Sequence, residues 1–276
     1  MSAQNSLITW YSDNKRNLPW RTTLDPFFIW LSEVILQQTR VNQGLGYYLR
    51  FTDAFPTIFD LARAQPDEVL KLWQGLGYYT RARNLHKAAQ VIVRDYQGVF
   101  PCDYDSIRKL PGIGDYTAAA IASFAFGLPH AVVDGNVYRV LSRYFANASP
   151  IDSTQGKKLF AQLAQEFLNR NEPALHNQAI MELGAMVCTP TQPSCSICPL
   201  ADRCAGYATG NTALFPVKGR KTVVRTRFFY YFILLSQHKI AVRQRVENDI
   251  WKGLFEFPMW ELDQAFELKE LILLPE

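Results

Sequence analysis

Apolar positions recur with a helical period over roughly the first 205 residues, and with strand-like density only after about residue 226. Asp25-Pro26 reads as a helix start, with Asp as the N-cap and Pro in the first turn. The run 27–38 that follows is apolar nearly all round, which predicts a buried helix. Pro66-Asp67-Glu68 opens another helix, and Gly75 and Gly77 interrupt it. Leu110-Pro111-Gly112-Ile113-Gly114 separates two helices, the second being the Ala-rich 116–126. Gly127-Leu128-Pro129 ends that helix, and 136–146 begins the next. The stretch 206–225 is rich in Gly, Thr, Pro and basic residues, has little periodicity, and reads as a linker. From Thr226 to Val242 the chain is dense in Phe, Tyr, Ile and Val around a Ser-Gln-His-Lys break, which predicts the two strands of a hairpin. The expected architecture is a mostly α body over 1–205, then the linker, then a short strand-containing piece over 226–276.

Composition narrows the class without choosing a function. The chain has 276 residues, 48% hydrophobic and 20% charged, an ordinary globular make-up that can bury a sizeable core. Its longest apolar run, Phe228 to Leu235, is far short of the ~20 residues that span a bilayer. The first residues lack the basic-then-apolar layout of an export signal, so no membrane partner and a cytoplasmic location are expected. Five cysteines in such a chain argue against a disulfide framework and for thiols or a metal site. The net charge of +4 is uneven. Residues 247–276 hold eight acids and two bases, whereas residues 1–246 hold 27 bases and 17 acids. The stretches 69–94 and 203–246 contain no acid. A basic body with interleaved Trp and Tyr suggests a polyanion partner, most simply nucleic acid, although solvated helix faces give the same count.

Cys188, Cys195, Cys198 and Cys204 lie within 17 residues in the pattern C-x6-C-x2-C-x5-C. Four thiolates this close can surround one metal centre, since thiolates favour soft metals and clusters. Zinc is the competing occupant, but four-cysteine zinc sites are usually built from two close pairs, and only Cys195 and Cys198 form one here. The spacing resembles the iron–sulfur loop of the endonuclease III and MutY group of DNA glycosylases, which implies a 4Fe-4S cluster.

The segment Leu110-Pro111-Gly112-Ile113-Gly114-Asp115-Tyr116 fits a helix-hairpin-helix near 105–126. Its glycines permit positive φ and close approach of another backbone. The helix behind it offers free N–H groups and a positive dipole end, where a phosphate can sit without sequence-specific contacts. A tight helix–helix turn uses the same residues, so the hairpin alone is weak evidence. In order along the chain, however, the hairpin, Val132-Val133-Asp134-Gly135-Asn136-Val137 and the cysteine loop match the same glycosylase superfamily over roughly residues 10–205.

Two carboxylates carry the candidate chemistry. Glu33 is the only charge on an otherwise apolar helix, sharing a face with Trp30 and Gln37. Desolvation should raise its pKa and let it act as a general acid, unless an Arg elsewhere pairs with it. Asp134 sits just before a helix start, where the dipole favours its ionised form; a plain N-cap looks the same in sequence. Together the pair fits cleavage of a sugar–base bond. One group protonates the leaving base, and the other stabilises oxocarbenium character on the sugar. The target base must first leave the stack.

The segments LPWR (18–21), SEVILQQTRV (32–41), GLGYYTRARNLHKAA (75–89), LPGIGDYTAAAI (110–121) and VVDGNVYRVLSR (132–143) resemble MutY-type adenine DNA glycosylases. The resemblance implies a monomer acting on double-stranded DNA, removing adenine mispaired with 8-oxoguanine or guanine, in a bacterial cytoplasm at the nucleoid. It implies that Glu33 protonates adenine, Asp134 stabilises the cation, and Tyr116 and Asn136 orient the two carboxylates. Arg16, Trp20 and Arg21 would line the adenine pocket. Leu36, Gln38 and Tyr78 would enter the duplex, and Leu110, Gly112, Ile113 and Gly114 would form the DNA-binding hairpin. Endonuclease III-like enzymes place a Lys where Tyr116 stands, and Tyr cannot form the Schiff base that leads to strand cleavage, so a monofunctional enzyme is expected.

The resemblance also implies a C-terminal α+β domain like that of Nudix hydrolases. Residues 226–276 match only its first strands, and the family's Phe-Ser-His loop is absent, which reads as a truncated or diverged tail with weakened preference for 8-oxoguanine. The competing functions are a mismatch thymine glycosylase acting on G:T pairs, a lyase for oxidised pyrimidines, and a non-catalytic iron–sulfur or zinc-bearing DNA-binding protein. Glu33 argues for a purine leaving group, Tyr116 against the lyase, and the retention of both carboxylates against the binder.

Overall fold

A computed structural model describes residues 2–219, 226–246, 249 and 251–271 of the chain. The chain divides into two compact units, residues 1–220 and 221–276. The first is helical: α1 (Ala3–Asn14), α2 (Pro26–Leu36), α3 (Val41–Ala54), α4 (Ile58–Arg63), α5 (Pro66–Trp73), α6 (Thr80–Tyr96), α7 (Tyr104–Arg108), α8 (Asp115–Phe126), α9 (Gly135–Tyr144), α10 (Thr154–Phe167), α11 (Pro173–Met186) and α12 (Ala205–Ala208). No helix among the described residues is long and apolar enough to cross a membrane.

Two hydrophobic cores fill this unit, and α2 and α8 belong to both. Phe27, Trp30 and Leu31 of α2 join Phe51, Trp73, Leu85 and Ile107 in one core, while Ile29 joins Leu7, Val137, Phe160 and Leu183 in the other. Along α8, Ala118, Ile121 and Ala122 face the first core, and Ala119, Ala120 and Phe124 the second. The Ala-rich sequence explains this placement. Small side chains on every face let neighbouring helices approach from both sides, and an all-round apolar helix is stable only when buried.

Local sequence sets the ends. The Asp25 carboxylate accepts from the Phe27 N–H at 2.8 Å and starts α2 as expected. That helix stops at Leu36, two residues before the end of its apolar run, because Gln38 turns left-handed at φ 57°. Between α7 and α8, Gly112 has φ 76°, and a Cβ on it would lie 2.5 Å from the Cβ of Asn84. Glycine is therefore required there by conformation and by space.

The stretch expected to be a linker is, over 206–219, part of the first unit. Gly206 packs so closely that a Cβ would stand 2.6 Å from the Arg143 carbonyl oxygen. The Arg143 Nε donates to the Thr212 carbonyl at 2.9 Å, and the Ile151 N–H donates to the Val217 carbonyl at 3.0 Å. Low periodicity hid this, because the segment is held by backbone carbonyls rather than by an apolar face. Residues 220–225 lie outside the described residues.

The second unit holds short antiparallel pairs. β1 (Phe228–Tyr231) pairs with β6 (Met259–Leu262), β2 (Leu235–Ser236) with β3 (Lys239–Ile240), and β4 (Arg243–Gln244) with β5 (Phe255–Glu256). A short helix, α13 (Leu268–Leu271), follows. The hairpin expected over 226–242 is thus confined to β2 and β3, around Gln237 and His238 at φ 45° and 65°. The aromatic strand β1 takes a partner some thirty residues away, Phe228 opposite Leu262, a pairing that local sequence does not specify.

Candidate active site

A cavity of about 730 Å³ opens in the first unit and is lined by Glu33, Tyr116 and Asp134, among others. The cores that share α2 and α8 also place this chemistry, since Glu33 projects from α2, Tyr116 from the first turn of α8, and Asp134 caps α9. The Tyr116 hydroxyl donates to Glu33 Oε2 at 2.8 Å. Burial pushes the Glu33 carboxyl up to about 7; the Tyr116 hydrogen bond opposes the shift and the charge of Asp134 adds to it. Burial likewise pushes the Tyr116 phenol well above its ordinary range.

Asp134 is held on both oxygens. Oδ1 accepts from the Val137 N–H at 2.8 Å, and Oδ2 accepts from Asn136 Nδ2 at 2.8 Å. The expectation of an acidic, dipole-stabilised carboxylate needs correcting in its net direction. Burial raises the Asp134 pKa more than these hydrogen bonds lower it. The two carboxyls remain different in kind, because Glu33 has one hydroxyl partner and Asp134 has two donors fixed in place.

The Arg-paired buried glutamate that the sequence allowed for at Glu33 is another residue, Glu182 of α11, which the sequence reading missed. Arg16 Nε and Nη2 donate to its two oxygens at 2.8 and 2.6 Å, and Arg21 Nη1 and Nη2 donate to the same pair at 2.9 and 2.7 Å. Burial alone would raise the Glu182 pKa, but these bonds overcome it and hold the carboxyl at about 2. Arg16 and Arg21 line the cavity, with their guanidiniums committed to Glu182. The available signal was that Glu182 is the only acid in 173–186, as Glu33 is in its own helix.

Behind Asp134 a chain of hydrogen bonds runs to the cysteine loop. Arg139 Nη2 donates to Asn136 Oδ1 at 2.8 Å and to the Gly184 carbonyl at 2.7 Å, and its Nε donates to the Cys188 carbonyl at 2.7 Å. Gly184 makes this approach possible, since a Cβ on it would stand 2.5 Å from the Cβ of Asn136. Cys188, Cys195, Cys198 and Cys204 line one small cavity beside Arg143, whose Nη1 donates to Cys188 Sγ at 3.4 Å. No group of three or more His, Cys, Asp or Glu among the described residues closes tightly enough to hold a single metal ion. Four thiols on one small cavity are a donor set suited to a soft metal or a thiolate-held cluster.

Trp20, Leu36 and Gln38 also line the main cavity; Trp20 packs edge-on to Tyr48 with ring centroids 5.1 Å apart. Tyr78 is not part of the cavity lining and is 64% exposed. In the hairpin, the side chains of Leu110 and Ile113 are buried in the first core, while Gly112 and Gly114 are exposed. Gly114 has open space where a Cβ would stand.

Residues 31–170 match the family model described as the HhH-GPD superfamily base excision DNA repair protein. The chain is 37% identical over 263 residues to the adenine DNA glycosylase of Buchnera aphidicola subsp. Baizongia pistaciae, covering 92% of this chain and 73% of that one. It is 44% identical over 210 residues to the human adenine DNA glycosylase, covering 73% of this chain and 38% of the other. Among solved structures, a thermostable thymine-DNA glycosylase matches with a TM-score of 0.69 and 30% identity, over 75% of this chain and 95% of that one. A non-covalent endonuclease III–DNA complex matches in fold, with a TM-score of 0.63 and 24% identity, over 75% of this chain and 94% of that one.

Proposed function

The chain belongs to the HhH-GPD superfamily of base excision DNA repair proteins and, within it, to the MutY-type adenine DNA glycosylases, and we propose from this that it excises adenine mispaired with 8-oxoguanine or guanine in double-stranded DNA. The observation that carries the mechanism is the Glu33–Tyr116 hydrogen bond in a buried cavity, with the glutamate titrating near 7. With its pKa raised to about 7, Glu33 keeps a substantial protonated population at neutral pH, and in that form it gives its proton to a ring nitrogen of the extruded adenine. The bond from N9 to C1′ then breaks with its electron pair leaving on the base. Asp134, fixed by Asn136 and the Val137 N–H, meets the positive charge that develops on the sugar. Water adds to C1′ and gives up a proton to the Glu33 carboxylate, which restores the acid and leaves an abasic site. Before the reaction the proton rests on Glu33, because burial raises its pKa with one hydroxyl opposing, whereas two fixed donors favour the Asp134 anion.

Leu36, Gln38 and Tyr78 enter the duplex, the last two from exposed positions, and the hairpin backbone at Gly112 and Gly114 receives a phosphate. Cys188, Cys195, Cys198 and Cys204 hold a 4Fe-4S cluster. When bound, that group would cross-link the 188–204 segment through its four sulfurs and would supply an electron-transfer centre. The chain's own contribution there is Arg143 and Arg139, which tie the loop to α9. The protein works as a monomer on DNA in the cytoplasm.

Single-turnover excision on labelled duplexes tests this reading. The panel is adenine opposite 8-oxoguanine, adenine opposite guanine, thymine opposite guanine and an oxidised pyrimidine, each read with and without alkali. Adenine loss that becomes a strand break only after alkali is expected. Product from thymine opposite guanine alone would move the assignment to a thymine glycosylase, and breaks without alkali would overturn monofunctional chemistry. Iron and sulfide analysis of the purified protein tests the cluster, with zinc in their place as the overturning result.

A further inference from the structure

One guanidinium reaches both loops that carry the exposed residues proposed to enter DNA. Arg81, on the first turn of α6, donates through Nη1 to the carbonyls of Val34 at 3.0 Å and Ile35 at 3.1 Å, and also to that of Gln37. Through Nη2 it donates to the carbonyls of Leu76 and Gly77, both at 3.2 Å. Its guanidinium lies 5.0 Å from the Trp73 ring centroid and 5.6 Å from that of Tyr78. A cation at the carbonyl end of α2 is by itself an ordinary helix cap. The simultaneous grip on residues 76–77, forty residues away in sequence, is not explained by capping.

The positions of the gripped carbonyls matter more than their number. The Gln37 carbonyl belongs to the peptide that precedes Gln38, and the Gly77 carbonyl to the peptide that precedes Tyr78. The plane of the preceding peptide sets a residue's φ. Gln38 and Tyr78 are both non-glycine residues in the left-handed region, at φ 57° and 47°. Both side chains are exposed, so packing around them does not hold that conformation. Such backbone persists only where the surroundings over-determine it. Here the surroundings are Arg81, with Trp73 Nε1 donating a second bond to the Gly77 carbonyl at 3.0 Å. The guanidinium's planar fork spans the two loops; a lysine ammonium is a single point and cannot do so.

We propose that Arg81 is a positioning residue for base extrusion, clamping the loops of Gln38 and Tyr78 into one rigid two-pronged wedge. The proposal rests on the reading that these two residues enter the duplex. It assigns Arg81 no contact with the reacting atoms, so its loss should impair opening of the helix and spare chemistry on a base that needs no opening.

The test compares wild type with Arg81→Met, Arg81→Lys, Gln38→Ala, Tyr78→Ala and the combination of Arg81→Met with both alanines. Excision is measured on adenine opposite guanine and on adenine opposite an abasic gap, where little pairing must be broken. Extrusion is followed separately by 2-aminopurine fluorescence. Arg81→Met is expected to slow excision from the paired duplex on the order of ten- to a hundredfold, as a small misplacement can. On the gapped duplex the loss should stay within about threefold, and Arg81→Met should add less than about twofold to the double alanine variant. Arg81→Lys should show the same duplex selectivity at smaller size, which keeps the test available if Arg81→Met does not fold. Equal fractional loss on both duplexes, or full additivity with the alanines, overturns the clamp. If the alanines leave extrusion unchanged, the wedge reading itself fails and the clamp with it. If they impair extrusion and the Arg81 variants do not, only the clamp fails.

Discussion

Tyr116 Oη lies 2.8 Å from Glu33 Oε2, and this bond joins α8 to α2, the two helices that divide the molecule's cores. The hydroxyl stabilises the carboxylate form of a group that burial pushes the other way. The proton on Glu33 is therefore balanced between the two influences.

The first consequence concerns pH. With Glu33 titrating at about 7, single-turnover excision should be flat on the acid side and fall about tenfold per pH unit above that value. Stability follows the same group with a definite sign. The folded pKa lies above the ordinary 4.5, so the native state binds the proton more tightly. The native state loses stability as pH rises from 4.5 to about 7 and is penalised in full beyond it. Glu33→Gln should abolish excision by about 10²–10⁴-fold. It should raise Tm relative to wild type in mildly alkaline buffer and leave Tm unchanged in acid.

Tyr116→Phe removes the one hydroxyl that favours the Glu33 anion. The alkaline limb of the excision profile should move upward by about one to two pH units, the worth of a hydrogen bond to a charged group. A limb that moves down, or stays, would show that Tyr116 acts on some other species.

Glu182 is the ionic anchor of the cavity. Replacing it with Gln leaves Arg16 and Arg21 facing a neutral group, and a loss of about 3 kcal/mol is expected from breaking a buried pair. Because its folded pKa is held at about 2, Glu182 stabilises fully above pH 4.5, and this stabilisation is lost as pH falls toward 2. Denaturant midpoints in acid should therefore converge for wild type and Glu182→Gln.

Arg139 ties Asn136 to the Gly184 and Cys188 carbonyls, so it sets where Asp134 is held from the side of the cysteine loop. Arg139→Met should lower excision by about 10–100-fold, as loss of a supporting hydrogen-bond partner does. DNA binding, measured by anisotropy on an uncleavable adenine analogue, should persist.

The two hairpin glycines should separate stability from binding. Gly112→Ala meets Asn84 and a positive φ, and should cost at least about 1 kcal/mol of stability. Gly114→Ala meets nothing within 4 Å at φ −96° and loses only a glycine N-cap, so its Tm should fall less than that of Gly112→Ala while DNA affinity falls, because the methyl group crowds an approaching phosphate.

Much of this protein is legible in its sequence. Local rules place the Asp25 cap, the buried character of α2 and α8, the Gly112 turn and the four-cysteine loop, because each depends on near neighbours in the chain. A lone Glu on an apolar helix announces a perturbed carboxyl for the same reason. What depends on distant partners was decided only in three dimensions. Whether Glu33 or Glu182 meets the arginines turns on helices about 150 residues apart, and the fold gives the arginines to Glu182. The net rise at Asp134 needed the burial that a cap motif does not encode. The docking of 206–219 on Arg143 and the pairing of β1 with β6 rest on backbone bonds, which side-chain patterns do not report. Arg81 in sequence is one more basic residue in an acid-free stretch. Only the folded chain brings the carbonyls before Gln38 and Tyr78 to the same guanidinium, because the closure of two remote loops is a property of packing and not of either segment.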